Sequence, residues 1–294
     1  MAAPTEDPVL VGLIGSGIAA SRTPAMHEHE ADAKGLRLVY KKIDLTRLSL
    51  GVEALPDLLL AAERMGFAGL NITHPCKQAV IPLLHELSED ARACGAVNTV
   101  VLREGRRVGH NTDWYGFAEG FRRGMAGAAL GRVVQLGAGG AGSAVAYAAM
   151  TLGIGHLTLT DIDPARAEAV AAPLAARFGA GRIATAASPD AALAAADGLI
   201  NTTPVGMDKY PGLPLDASLL RPALWVAEII YFPIETALLK AARALGCRTV
   251  DGGGMAVFQA VAAFRLFTGL TPDPERMLHH FAELGAASAA VTAG

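Results

Sequence analysis

Lys77 closes the segment Asn71-Ile72-Thr73-His74-Pro75-Cys76-Lys77, where polar side chains gather at the end of an apolar run, just before a proline-directed turn. A lysine placed there suits general acid/base work, because desolvation lowers a lysine pKa and a nearby carboxylate holds its position. A solvated lysine at a helix start fits the same seven residues equally well, since isolated lysines are mostly surface residues. Asn111-Thr112-Asp113 and Gly95-Ala96-Val97-Asn98-Thr99 are two further polar clusters, each readable on its own as a turn or a cap. Gln259 stands in the otherwise apolar MAVFQAVAAF. Buried there it needs a partner, and a structural partner serves as well as a ligand.

A second kind of chemistry is written in Gly137-Ala138-Gly139-Gly140-Ala141-Gly142, a G-x-G-x-x-G between RVVQL and SAVAYAAMTLG. The first glycine makes a tight turn, the second lets backbone approach a pyrophosphate, and the third lets helix and strand pack closely. Free amides at the helix start then hold phosphates. Asp161 follows the next apolar run, HLTLT. A carboxylate there accepts hydrogen bonds from adenosine ribose hydroxyls and repels a 2′-phosphate, which favours NAD over NADP. The competing account is a glycine-rich turn and a surface aspartate capping the helix that starts at Pro164. Gly15 and Gly17 also follow an apolar run, but Pro24 stands where a phosphate-binding helix would be running. That loop is expected to contact something other than a dinucleotide.

Strands and helices must alternate to position these groups. VLVGLIG (9–15), LRLVYKKIDL (36–45) and FAGLNIT (67–73) read as strands, with the amphipathic stretch 52–66 among the helical patterns between them. Residues 98–113 read as a hairpin turning at Glu104 and Gly105. From Trp114 a second block alternates RVVQL, HLTLTDID, ADGLINTTP, LWVAEIIYFP (224–233) and CRTVDGGG (247–254) with helices. Such alternation implies a parallel sheet covered on both faces. From Met255 two helices follow with no further strand. The expected class is α/β, with domains at 1–113 and 114–254, the first completed by residues 255–294.

The 294 residues leave room for about two domains. With 52% hydrophobic and 18% charged residues, the chain is not intrinsically disordered. A net charge of -3 argues against nucleic acid as a partner. Three cysteines without a C-x-x-C pair suit a reducing compartment. The N-terminus is acidic where a signal peptide is basic, and no uncharged apolar run reaches the ~20 residues that span a bilayer. A cytoplasmic protein with no membrane partner is expected. The histidines form no H-E-x-x-H, so no metal is expected; His279 and His280 read as solvated.

Together these segments resemble the shikimate dehydrogenase family over nearly the whole chain. The resemblance is carried by Ser21-x-Thr23-Pro24-x-x-His27, Asn71-x-Thr73-x-Pro75-x-Lys77, Gly95-Ala96-Val97-Asn98-Thr99, Asn111-Thr112-Asp113-x-x-Gly116 and the glycine loop. Asn201-x-Thr203-Pro204-x-Gly206-Met207 and Asp251-Gly252-x-Gly254-Met255-x-x-x-Gln259 complete it. The resemblance implies an N-terminal α/β substrate domain, an inserted Rossmann-like dinucleotide domain, and C-terminal helices returning to the first. It implies Lys77 and Asp113 as the catalytic pair, and Ser21, Thr23, Thr73, Asn98, Tyr231 and Gln259 around a cyclitol carboxylate. The cofactor side would be the loop 137–142, Asp161, Arg166, Thr203, Gly252 and Met255.

Three departures from the family pattern stand out. Thr23 replaces a serine, Glu28 an asparagine, and Asp161-Ile162-Asp163 the Asn-Arg-Thr of NADP users. These resemble the NAD-dependent quinate/shikimate branch, acting on the C3 hydroxyl, as a monomer or homodimer. Arg166 keeps weak NADP use open. The alternatives are an NADP-dependent shikimate dehydrogenase of aromatic amino-acid biosynthesis, a folate-type dehydrogenase of related architecture, and a dinucleotide sensor without turnover.

Overall fold

The computed structural model describes residues 7–292. Most of the acidic N-terminal stretch, residues 1–6, lies outside the described residues. The chain divides into two compact units, one within residues 1–92, 96–112 and 259–294, the other within 93–95 and 113–258.

The first unit holds strands β1 (Val9–Gly15), β2 (Leu38–Asp44), β3 (Phe67–Ile72), β4 (Glu86–Leu87), β5 (Thr99–Arg103) and β6 (Arg106–His110) in the order β2-β1-β3-β5-β6-β4. β1 lies parallel to β2 and β3, whereas β5 runs antiparallel to β3 and β6. The β5–β6 turn is the expected one: Glu104 and Gly105 both have positive φ, the backbone of a tight two-residue hairpin. Helices α1 (Thr23–Ala33), α2 (Leu45–Leu48), α3 (Leu55–Arg64), α4 (Cys76–Ala79) and α5 (Glu89–Cys94) punctuate these strands. α3 buries Leu55, Leu59 and Ala62, one face at helical spacing, against a core that includes Ile14, Leu70 and Val100.

The second unit opens with α6 (Asp113–Gly124), then β7 (Arg132–Leu136), α7 (Gly140–Thr151), β8 (His156–Thr160), α8 (Pro164–Phe178), β9 (Ile183–Thr185), α9 (Asp190–Ala194) and β10 (Gly198–Asn201). β11 (Trp225–Glu228), α10 (Ala237–Ala244) and β12 (Thr249–Val250) follow. The sheet is parallel throughout, in the order β12-β11-β10-β7-β8-β9. Counted from β7 this is the doubly wound 3-2-1-4-5-6 arrangement, whose switch point lies between β7 and β10. Two strands are shorter than their apolar runs suggest. The 224–233 run leaves the sheet after Glu228, and only Thr249–Val250 of 247–254 is paired.

The tail forms α11 (Gly253–Thr268) and α12 (Pro274–Thr292). α11 starts two residues before the expected Met255; it begins in the second unit and continues from Gln259 in the first. α12 is tied to α1 through Glu30, which is fully buried. Arg276 donates to its two oxygens at 2.7 and 2.8 Å, and the Asp273 N–H donates at 2.8 Å. No helix among the described residues is long and apolar enough to cross a membrane.

Candidate active site

In the first unit, a buried polar network occupies the carboxyl end of β3. Asn71 donates to Thr99 Oγ1 at 3.0 Å and accepts from the Tyr40 hydroxyl at 2.6 Å. Asn98 accepts from the Thr112 N–H at 2.7 Å, and its amide reaches Thr112 Oγ1 at 2.9 Å. Asn111 donates to the Ala96 carbonyl at 2.9 Å. The strand end, the 95–99 segment and the turn before Asp113 are therefore fastened to one another. Each of these asparagines is nearly fully buried, so the bonds are made away from competing water.

Of the residues expected around the substrate, Ser21, Thr23, Thr73, Asn98 and Gln259 fall in this unit together with Lys77, whereas Tyr231 and Asp113 fall in the second. Thr73 leaves β3, its N–H donating to the Ile14 carbonyl at 2.9 Å. Lys77 is half-buried in α4, and its carbonyl accepts from the Val97 N–H at 2.9 Å. Ser21 and Thr23 are half-buried at the start of α1, with the Thr23 N–H donating to Ser21 Oγ at 3.4 Å. Gln259 is half-buried in α11. Glu28, one of the departures, accepts from the Tyr40 N–H at 3.0 Å, which fixes the residue whose hydroxyl reaches Asn71.

The loop after β1 is not a phosphate cradle. Its Gly17 and Ile18 amides donate to the Asp44 carboxylate at 2.9 and 3.0 Å. Burial alone would raise the Asp44 pKa, but the backbone donors, from Gly17, Ile18, Arg47 and Thr46, hold it below the usual carboxylate value.

In the second unit the glycine loop has the geometry its spacing demands. Gly137 turns the chain at φ +93°, and a Cβ there would lie 2.8 Å from Thr202 Oγ1. At Gly142 a Cβ would sit 2.5 Å from the Gly137 carbonyl, so only glycine lets α7 pack this closely on the turn. Gly139 faces open space. Gln135 braces the loop, donating to the carbonyls of Gly137 and Gly142 at 2.9 Å each. Gly139 occupies the N-cap of α7 and so offers no side-chain cap. Gly140 and Ala141 thus belong to a first turn whose amides lack intrahelical partners. This is a cradle that fits a pyrophosphate.

Asp161 directly follows β8 and accepts from the Ala138 N–H at 2.7 Å, which holds it beside the loop. The cap of α8 is Asp163, which accepts from the Ala165 N–H; the capping account of Asp161 is thereby answered. Ile162 between them is fully exposed. Arg166 is exposed and pairs with Asp163 at 3.4 Å.

Beyond β10, Thr203 donates to Asn201 Oδ1 at 2.8 Å. Gly252 packs so closely on the backbone after β11 that a Cβ would lie 2.3 Å from the Ile229 carbonyl. Met255 lines a cavity with Phe117, Gly120, Phe121, Glu228, Val250 and Asp251. Tyr231 is half-buried in the loop between β11 and α10.

Glu228 is the site-side residue that the sequence reading passed over. It is buried and accepts from four donors. The signal was present: an acid inside the apolar run WVAEIIYF. Reading 224–233 as one continuous strand hid it.

A family model described as "Shikimate dehydrogenase substrate binding domain" matches residues 13–100. One described as "Shikimate 5'-dehydrogenase C-terminal domain" matches residues 252–279. The shikimate dehydrogenase (NADP(+)) of Streptomyces avermitilis is 60% identical, covering 97% of this chain and 99% of its own. The quinate/shikimate dehydrogenase (NAD(+)) of Corynebacterium efficiens is 54% identical, covering 95% and 99%. The solved quinate dehydrogenase from Corynebacterium glutamicum in complex with NAD superposes with a TM-score of 0.87 at 51% identity, over 94% of this chain and 99% of that one.

Proposed function

Since the chain belongs to the shikimate dehydrogenase family, we propose that it is an NAD-dependent dehydrogenase that reversibly oxidises the C3 hydroxyl of quinate and shikimate to 3-dehydroquinate and 3-dehydroshikimate. The observation that carries the cofactor choice is Asp161. Identity alone does not decide it, because relatives named for NADP and for NAD stand at 60% and 54%. A carboxylate held against the glycine loop at 2.7 Å accepts from ribose hydroxyls and repels a 2′-phosphate. The arginine of the Asn-Arg-Thr pattern is replaced by exposed Ile162.

In this reading, residues 137–142 hold the pyrophosphate, Asp161 the adenosine ribose, and Thr203, Gly252 and Met255 border the nicotinamide. NAD, when bound, supplies the hydride acceptor. Lys77 as a free amine takes the proton of the C3 hydroxyl as that carbon becomes a carbonyl, and returns it in the reverse direction. Asp113 orients the hydroxyl and steadies the ammonium that forms. Ser21 and Thr23 offer neutral hydroxyl donors to the substrate carboxylate, and Thr73, Asn98, Tyr231 and Gln259 complete the cyclitol site. Residues 1–113 with 255–294 serve the substrate and 114–254 the cofactor. We place the protein in the cytoplasm, as a monomer or homodimer without nucleic-acid partners. Three buried free cysteines support a reducing compartment.

The second reading, an NADP-dependent shikimate dehydrogenase, is favoured by the Streptomyces relative. Initial rates with NAD and NADP against quinate and shikimate separate the two. NADH formation from both substrates is expected, with kcat/KM values within about two decades, or ~2.7 kcal/mol of transition-state binding. Turnover of shikimate with NADP alone would overturn the branch assignment. Binding of NADH without turnover of any cyclitol would mark a sensor.

A further inference from the structure

We propose that Glu228 is a positioning residue for the nicotinamide end of the dinucleotide site, its carboxylate holding in register the loops that border it. The inference rests on the reading of the second unit as the NAD-binding unit. Glu228 ends β11 directly opposite Asn201, the last residue of β10, and is 1% exposed. One carboxylate oxygen accepts from the Ile229 N–H at 2.9 Å and the Ile230 N–H at 3.2 Å. The other accepts from Thr236 Oγ1 at 3.2 Å, and the Asn201 amide lies 3.1 and 3.0 Å from the two.

These bonds propagate. Asn201 Oδ1 accepts from the Thr203 N–H and hydroxyl at 3.0 and 2.8 Å, and its amide also donates to the Val205 carbonyl. The loop after β10 and the loop between β11 and α10 are thus fastened to one carboxylate. A third segment rides on the second, because Gly252 packs against Ile229 with no room for a Cβ. Thr203, Tyr231, Gly252 and Met255 all lie on these segments.

The chemistry requires an acid. Thr236 Oγ1 accepts from the Leu239 N–H, which leaves its own proton for Glu228. Four donors converging on one group suit an acceptor without hydrogens; a glutamine amide would face a donor on one side. Burial pushes the carboxyl up to about 7, against the hydrogen bonds that lower it. An ionised group that the fold disfavours, yet surrounds with donors, suits geometry better than stability. The neighbours facing it are uncharged Phe117, Gly120 and Phe121 from α6, Asn201 from β10 and Thr236 before α10; Asp251, after β12, is the other titratable group of that cavity.

The test measures NADH binding to the purified full chain by fluorescence, with ADP-ribose as the probe of the adenosine half, and thermal melting beside it. Glu228→Gln is expected to weaken NADH by about fivefold or more while ADP-ribose binding changes less than about twofold. Its Tm at pH 8 should not fall. Wild-type NADH affinity should drop on acidification through about pH 7, Glu228→Gln should flatten that profile, and Asp251→Asn should keep it. Unchanged NADH binding in Glu228→Gln, or equal loss of both probes with a lower Tm, overturns the proposal. A wild-type chain that binds NADPH and not NADH refutes the cofactor reading instead, and the same comparison then runs with NADPH and 2′-phospho-ADP-ribose. Binding of neither overturns both.

Discussion

Lys77 and Asp161 carry the two decisions of the proposed reaction, where the proton goes and which cofactor is accepted. Lys77→Ala should lower kcat by ~10²–10⁴, the usual contribution of a general base, with NADH affinity unchanged. A variant keeping more than about a tenth of the rate would remove Lys77 from the chemistry. Asp161→Asn with Ile162→Arg removes a repulsive carboxylate and supplies a phosphate partner. Charged hydrogen bonds are worth ~1.5–3 kcal/mol, so the NAD/NADP preference should move at least tenfold toward NADP in initial rates. An unmoved ratio would assign selection to another residue.

At the scale of elements, the glycine loop and the α1–α12 tie make separable predictions. Gly142→Ala forces a Cβ to within 2.5 Å of a backbone oxygen, which has no flexible end to yield. NADH titration should show the loop's affinity reduced at least tenfold, on the order of 1.4 kcal/mol. Arg276→Ala leaves Glu30 buried without its guanidinium, and removal of one partner of a buried pair costs ~3–5 kcal/mol; exposure of Arg276 puts the expectation at the lower end, readable by urea denaturation. Elements of this kind were legible to different degrees. β7, the glycine loop and Asp161 could be read because spacing and residue type dictate the turn. The two-residue hairpin at Glu104–Gly105 was legible for the same reason. β4 and β9 span two and three residues, too few for a period to emerge. The end of β11 was hidden because hydrophobicity continues through Ile229–Phe232 after pairing has stopped. The Asn71–Asn98–Thr112 network was visible as polar clusters, but its pairing is a long-range property that no local pattern encodes.

For the molecule as a whole, two buried groups pull stability in opposite directions as pH changes. His27 is fully buried, and desolvation lowers its pKa to about 3. The unfolded chain therefore binds a proton below about pH 6.5 that the fold refuses, and stability falls as pH drops. Glu228 is the reverse: its raised pKa means the fold holds a proton that the unfolded chain releases, so stability falls as pH rises from 4.5 to about 7. Each slope approaches ~1.4 kcal/mol per pH unit, so the two nearly cancel between about pH 4.5 and 6.5. Glu228→Gln should unmask His27, with Tm dropping steadily as pH is lowered below about 6.5. A Glu228→Gln melting curve as flat as that of the wild type would show that burial of one of the two is relieved by local opening.

The Glu30–Arg276 tie also orders events on the ribosome. Glu30 emerges early, but its partner is made 246 residues later. At ~5–20 residues per second that interval is roughly 12–50 s. The greater part of the second unit is one unbroken stretch, residues 113–258, and is complete before Arg276 is synthesised. Nascent chains should therefore acquire a protease-resistant dinucleotide unit first, while the strands that precede it in sequence wait for the C-terminal helices. The strands of the first unit are made before the second unit and secured after it, so they are where chaperone capture during synthesis is expected.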